Sequence, residues 1–217
     1  MIEAVIFDMD GLLINSEPLW RRAQAYAFAT VGIKLNDQAM HITTGQRIDE
    51  IIARRYHDKP WSGTSKKAIE DLIVEKVIEL VQAKGRPMPG VMNVLDFFAN
   101  KNLPMALASS SSKKIIKSIL DVLGIQDYFV LIHSAEDETH GKPNPGVYIT
   151  TASLLNVPAH RCLVFEDSPS GVLAAKAANM KCVAIPDNAH QTNKYIQLAD
   201  VILKSLEEFN ETVFASL

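Results

Sequence analysis

Short runs that are apolar at every or nearly every position recur along this 217-residue chain, and between them the apolar residues switch to helical spacing. The runs cover residues 4–7, 105–108, 129–133, 162–165, 182–185 and, more weakly, 201–203. Their length and their Val, Ile, Phe and Cys content read as strands. After Ser112 the positions Ile115, Ile116, Ile119, Leu120 and Leu123 follow a helical period, and Gly124 stands where a C-terminal cap belongs. Asn144-Pro145 and Ser168-Pro169 each set a capping residue before a proline, which predicts the start of two further helices. Strand and helix in repeated alternation predict an α/β fold, a doubly wound parallel sheet with a Rossmann-like core.

The alternation breaks once. Between residues 16 and 84 no convincing strand occurs, only amphipathic stretches such as 19–30 and 68–83. The stretch ends in Gly85-Arg86-Pro87-Met88-Pro89-Gly90, a linker signal of two prolines between two glycines. The expected organisation is a core of residues 1–15 and 85–217 with an inserted all-helical cap domain at 16–84. Because the insertion starts just after the first strand, it must sit over the strand ends, where a lid belongs.

Composition narrows the partners. With 47% hydrophobic and 22% charged residues the chain can bury a substantial core. A net charge of −3 with scattered Lys and Arg offers no field for a nucleic acid backbone. No apolar run approaches the roughly 20 residues of a spanning helix, and no basic leader precedes a signal-type stretch, so a cytoplasmic protein without a membrane partner is expected. Cys162 and Cys182 lie inside apolar runs and read as buried reduced thiols.

Doubly wound sheets bind ligands beyond the carboxyl ends of their strands, so the residues closing each apolar run matter most. Residues 4–7 lead into Asp8-Met9-Asp10-Gly11. On extended backbone Asp8 and Asp10 point the same way. Two carboxylates held so close repel unless a cation intervenes, and a divalent metal is the natural candidate. Gly11 lets the backbone turn sharply and approach a ligand. The second run ends in Ser109-Ser110-Ser111-Ser112 as a helix begins, which is either an anion site or ordinary turn and capping chemistry. The fourth ends in Glu166-Asp167, either a mirror of the first motif or a solvated turn. Lys142, in Gly141-Lys142-Pro143-Asn144-Pro145, is a cation fixed in a stiff loop before a helix.

In this order Asp8-Met9-Asp10-Gly11, Ser109, Lys142-Pro143 and Glu166-Asp167 resemble the four motifs of the haloacid dehalogenase superfamily of phosphohydrolases. Residues 8–14, Ser16-Glu17-Pro18-Leu19-Trp20, Gly45-Gln46-Arg47-Ile48-Asp49 and Pro60-Trp61-Ser62-Gly63 look more narrowly like its bacterial sugar and hexitol phosphatases, those acting on 2-deoxyglucose 6-phosphate among them. The resemblance implies that Asp8 attacks phosphorus to form an aspartyl-phosphate. Asp10 would protonate the leaving oxygen and later deprotonate water. It implies Mg²⁺ held by the Asp8 carboxylate, the Asp10 backbone carbonyl and Asp167, with Glu166 nearby or bound through water. Ser109, the amide of Ser110 and Lys142 would hold phosphoryl oxygens. Ionised, Asp8, Asp10, Glu166 and Asp167 carry −4 against +1 from Lys142 and +2 from the metal, so a bound phosphate dianion calls for one protonated carboxyl. That carboxyl is assigned to Asp10.

The implied substrate is a small phosphorylated sugar or sugar alcohol, and a monomer is expected. Arg47 either grips phosphate or sugar hydroxyls or pairs with Asp49 or Glu50. Trp20 and Trp61 read as packing residues. Asn15 replaces an Asp usual among relatives and is expected to serve as a helix cap. The rival readings are a phosphosugar mutase of the same fold, a phosphorylation-controlled signalling module, and a phosphosugar-binding protein without turnover.

Overall fold

The computed structural model describes residues 1–36 and 43–217. Six strands form one parallel sheet in the order β3-β2-β1-β4-β5-β6. They are β1 Ala4–Phe7, β2 Met105–Ser109, β3 Leu131–Ser134, β4 Cys162–Glu166, β5 Lys181–Ala184 and β6 Val201–Ile202. The order reverses direction at β1 and β4, so the crevice of a doubly wound sheet opens at their carboxyl ends. β3 begins two residues later than the sequence suggests, because Phe129 still closes the preceding turn through its N–H on Gln126 O at 3.1 Å.

Alternation along the strands sorts the core into two layers. Val5, Phe7, Leu107, Leu163, Phe165 and Val183 face α4 (Val91–Asn100) and α5 (Lys113–Leu123). Ala4, Ile6, Ala106, Ala108, Val164 and Ala184 face α6 (Gly146–Leu154) and α7 (Pro169–Ala177), with Cys162 and Cys182 among them as free buried thiols. The first layer is aromatic. Phe7 and Phe165 stack at 4.9 Å, and Phe98 and Phe209 close on Phe165 at 5.7 and 5.0 Å. Such pairs add to the burial of their area, and this one ties together the two strands that end in carboxylates.

Helix ends follow the local chemistry. Gly124 terminates α5 at φ 65°, the Ser168 side chain accepts from Gly171 N at the start of α7, and Asn144 accepts from Gly146 N before α6. Asn15 departs from expectation: it is exposed, and among the described residues its N–H donates to Arg86 O at 3.0 Å while its side chain caps no helix. Ser16 occupies the N-cap of α1 (Glu17–Ala29), and its hydroxyl goes elsewhere.

The described part of stretch 16–84 contains α1, α2 (Ile48–Asp58) and α3 (Lys66–Lys84) and no strand. α3 packs on α1, on α2 and on α5 of the sheet layer, so the apolar faces of this helical unit run continuously into the aromatic core. Trp61 packs edge-on against Phe28 and Tyr56, at 6.0 and 4.7 Å, as its sequence context suggests. Among the described residues no helix is long and apolar enough to cross a membrane. α8 (Glu211–Ala215) carries Phe214 onto the same aromatic group at 5.7 Å from Phe98.

Candidate active site

The β1–β4 crevice gathers the charged residues. Asp8 leaves β1 with its N–H still on Phe165 O at 3.0 Å, which sets the end of β1 level with the end of β4. Gly11 turns the chain at φ 80°, and a Cβ there would stand 2.1 Å from Asp167 Oδ2. The chain can therefore pass beneath Asp167 only without a side chain. Lys142, from the loop before α6, is 1% exposed and donates to Asp8 Oδ1 at 2.5 Å and to Glu166 Oε1 at 2.7 Å. Its ammonium also lies 4.8 Å from the centre of the Tyr148 ring.

Glu166 is saturated. Oε1 accepts from Lys142 and, at 2.6 Å, from Tyr148 Oη; Oε2 accepts from Asp167 N, Ser168 N and Ser168 Oγ at 3.1, 3.2 and 3.0 Å. A carboxylate with five donors holds the lysine and shapes the Asp167 turn. Asp167 is buried too, and none of the described residues donates a hydrogen bond to its carboxylate.

Three buried carboxylates face one buried cation, and their titration reflects it. Burial pushes the Asp8 carboxyl up to about 8; Lys142 opposes that rise, and Glu166 and Asp10 add to it. Burial, then Glu166, Asp8 and Glu17, hold Asp167 well above the usual carboxylate range. Burial alone would depress Lys142, but Asp8 and Glu166 outweigh it and keep the lysine above its ordinary value. One oxygen each from Asp8, Glu166 and Asp167 lie within 4.8 Å of one another. An all-oxygen, under-compensated donor set of this kind suits a hard divalent cation such as Mg²⁺. Asp8 and Asp167 have the lone pairs to hold it, whereas those of Glu166 are committed to N–H and O–H donors.

Above this floor a cavity is lined by Asp8, Asp10, Ser109 and Ser110 from the sheet side and by Glu17, Trp20 and Gln24 from α1. Asp10 is aimed by three donors: Ser16 Oγ at 2.6 Å and Trp20 Nε1 at 2.8 Å on Oδ1, and Ser111 Oγ at 2.6 Å on Oδ2. Ser109 Oγ accepts from Ser111 N at 3.1 Å, which leaves its proton for another acceptor. The Ser110 hydroxyl donates to Gly45 O at 2.7 Å, and Ser170 Oγ donates to Thr44 O at 2.9 Å, so the loop before α2 is seated on the sheet.

Asp8, Asp10, Ser109, Ser110, Lys142, Glu166 and Asp167 thus converge. Arg47 does not join them. Its guanidinium pairs with Asp49 at 3.0 and 2.6 Å and donates to Ala135 O and Glu138 O at 3.0 and 2.7 Å, so these bonds hold its fork against Asp49 and two backbone carbonyls. Of its two readings, the ion pair with Asp49 is the one the structure contains. Beside it Glu50 accepts from Gly141 N at 2.8 Å, one residue before Lys142. Trp20, read as packing, does pack against the core and also donates to Asp10. Its spacing of four from Ser16 puts both on one helix face, which is the signal that marks them as a pair. Tyr148 carries no such local signal, because only the packing of α6 on the sheet brings it to Glu166.

Residues 5–185 match the family described as "Haloacid dehalogenase-like hydrolase". Hexitol phosphatase B of Escherichia coli (strain K12) is 36% identical over 208 residues, which cover 95% of this chain and 94% of that protein. Among solved structures, CbbY from Rhodobacter sphaeroides in complex with phosphate has a TM-score of 0.87 at 26% identity and 96% coverage of each chain. Beta-phosphoglucomutase from Clostridium difficile has a TM-score of 0.87 at 25% identity, covering 99% of this chain and 96% of that one.

Proposed function

Because this chain belongs to the haloacid dehalogenase-like hydrolase family, we propose that it is a phosphatase acting on small sugar or hexitol phosphates, with Asp8 as nucleophile and Mg²⁺ as cofactor. The observation that carries the reading is that Asp8, Ser109 and Asp10 line one cavity while Lys142 and Asp167 meet Asp8 behind it, with Asp8, Ser109, Lys142 and Asp167 delivered by four separate segments. The likeness to hexitol phosphatase B over nearly the whole of both chains supports the substrate class.

In this mechanism the Ser109 hydroxyl, the Ser110 amide and the Lys142 ammonium orient the phosphoryl group against the Asp8 carboxylate. Fixed donors aimed at a transferring phosphoryl group are the main source of catalysis in such reactions. Asp8 attacks phosphorus while Asp10, held by Trp20, Ser16 and Ser111, gives its proton to the departing oxygen. Asp10 then takes a proton from the water that hydrolyses the aspartyl-phosphate. Mg²⁺, held by Asp8 and Asp167, would neutralise charge on the phosphoryl oxygens. Glu166 acts through Lys142, keeping the ammonium where Asp8 needs it.

The test is phosphate release from 4-nitrophenyl phosphate and from a panel of sugar and hexitol phosphates, with and without Mg²⁺. Asp8→Asn is expected to lower turnover at least about a thousandfold, since the proposed acceptor of the phosphoryl group is lost. Undiminished turnover in that variant overturns the assignment. A mutase reading draws support from the likeness to beta-phosphoglucomutase; formation of an isomeric phosphosugar in place of free phosphate would establish it.

A further inference from the structure

Gln24 lies on α1 one turn beyond Trp20, on the same face, and lines the cavity that holds Asp8 and Asp10. It is 6% exposed, and its Oε1 has no hydrogen-bond partner. Thr44 Oγ1, on the loop that roofs the same cavity, is likewise buried and unpaired. Buried polar atoms are almost always satisfied, so two orphans on residues that line one cavity point to a ligand that draws them round and satisfies them when the site is occupied. Turning the Gln24 amide over would exchange acceptor for donor, and a hydroxyl meets either need.

Position gives the ligand its shape. Trp20 touches Asp10 at 2.8 Å, and four residues along a helix advance about 6 Å. Gln24 therefore meets the departing group about 6 Å along the helix from the residue that contacts the proposed acid. Ile48 and Ile51 supply apolar wall to the same cavity. We propose that Gln24 is a specificity-determining residue that pairs with a hydroxyl of the leaving group some carbons away from the ester oxygen, so that the substrates are phosphate esters of polyhydroxy chains. This rests on the phosphatase reading above and narrows it, since nothing in the phosphoryl chemistry itself requires such a hydroxyl.

The test compares kcat/KM for sorbitol 6-phosphate and n-hexyl phosphate, which share chain length and differ in hydroxyls, in the wild-type protein and in Gln24→Met. The wild type is expected to favour sorbitol 6-phosphate at least about a hundredfold, because a site built to pair a hydroxyl rejects an analogue without one. Gln24→Met keeps the side chain's length and is expected to lower that ratio tenfold to a hundredfold, through loss on the sorbitol ester. Without substrate the same variant should melt about 2 °C or more above the wild type, since an unpaired buried carbonyl oxygen has been removed.

An unchanged ratio, with 4-nitrophenyl phosphate still hydrolysed, overturns the proposal alone. So does a lower melting temperature, which would mean that the amide is already satisfied in the empty site. If the variant does not fold, a wild-type ratio near one overturns it. Wild-type silence on 4-nitrophenyl phosphate as well would overturn the phosphatase reading and this inference together.

Discussion

Glu166 accepts from a lysine, a tyrosine, a serine hydroxyl and two backbone amides while fully buried, and each donor has a separate consequence for the site. The amides fix the turn that presents Asp167; the lysine is thereby held against Asp8. Tyr148 supplies the one donor that can be removed without disturbing backbone. Tyr148→Phe is expected to cost about 1.5–3 kcal/mol in chemical denaturation, the worth of a hydrogen bond to a charged group. The ring remains over Lys142, so the variant should still turn over. A loss below about 0.5 kcal/mol would show that Glu166 does not depend on the phenol. Sequence marked Glu166-Asp167 as a pair but left open whether it was a solvated turn. Burial decides that, and burial here follows from α6 and α7 covering the sheet.

The loop before α2 and the first turn of α2 are clasped to the sheet at several points, and Gly45 is the tightest. It has φ 78°, and a Cβ would stand 2.3 Å from Ser168 Oγ and 2.6 Å from Ser170 Oγ. Gly45→Val should hold this loop off the sheet and lower kcat/KM at least about tenfold on every phosphoester alike, 4-nitrophenyl phosphate included. Steady-state kinetics on two dissimilar esters check this; a loss confined to one ester would make the loop a reader of substrate instead. At this scale much was legible. All six strands fall within two residues of the runs read from sequence, because wholly apolar segments of that length have few other uses. α2 was not singled out: only Ile48, Ile51 and Ile52 are buried in a segment rich in charge, so its period is carried by one turn. Arg47 was ambiguous because an arginine on a loop looks the same in sequence whether it faces a ligand or backbone carbonyls.

For the molecule as a whole, the under-compensated carboxylates link folding to pH and to metal. Asp8 titrates near 8 in the metal-free fold against 3.8 as its ordinary value, and Asp167 is raised as well. The folded protein then binds these protons more tightly than the unfolded chain does. Their contribution is complete below about pH 4 and is lost as pH rises towards 8. Mg²⁺ needs the same carboxylates deprotonated, so it should bind more tightly as pH rises over that window. The rise in Tm on adding saturating Mg²⁺ is therefore expected to be several degrees larger at pH 8 than at pH 5.5, measured in one buffer series at fixed ionic strength. Equal rises at the two values would mean that the metal displaces no protons.

The aromatic layer beneath the crevice bears on how the protein is made. Phe209 and Phe214 lie far along the chain, yet they complete the ring packing around Phe165 and Phe98 on which the ends of β1 and β4 rest. Asp8 and Asp10 are synthesised roughly ten to forty seconds before those phenylalanines at ordinary translation rates. Until they leave the ribosome the crevice lacks part of its underside. The two carboxylates of the crevice are thus synthesised well before the rings that complete its underside.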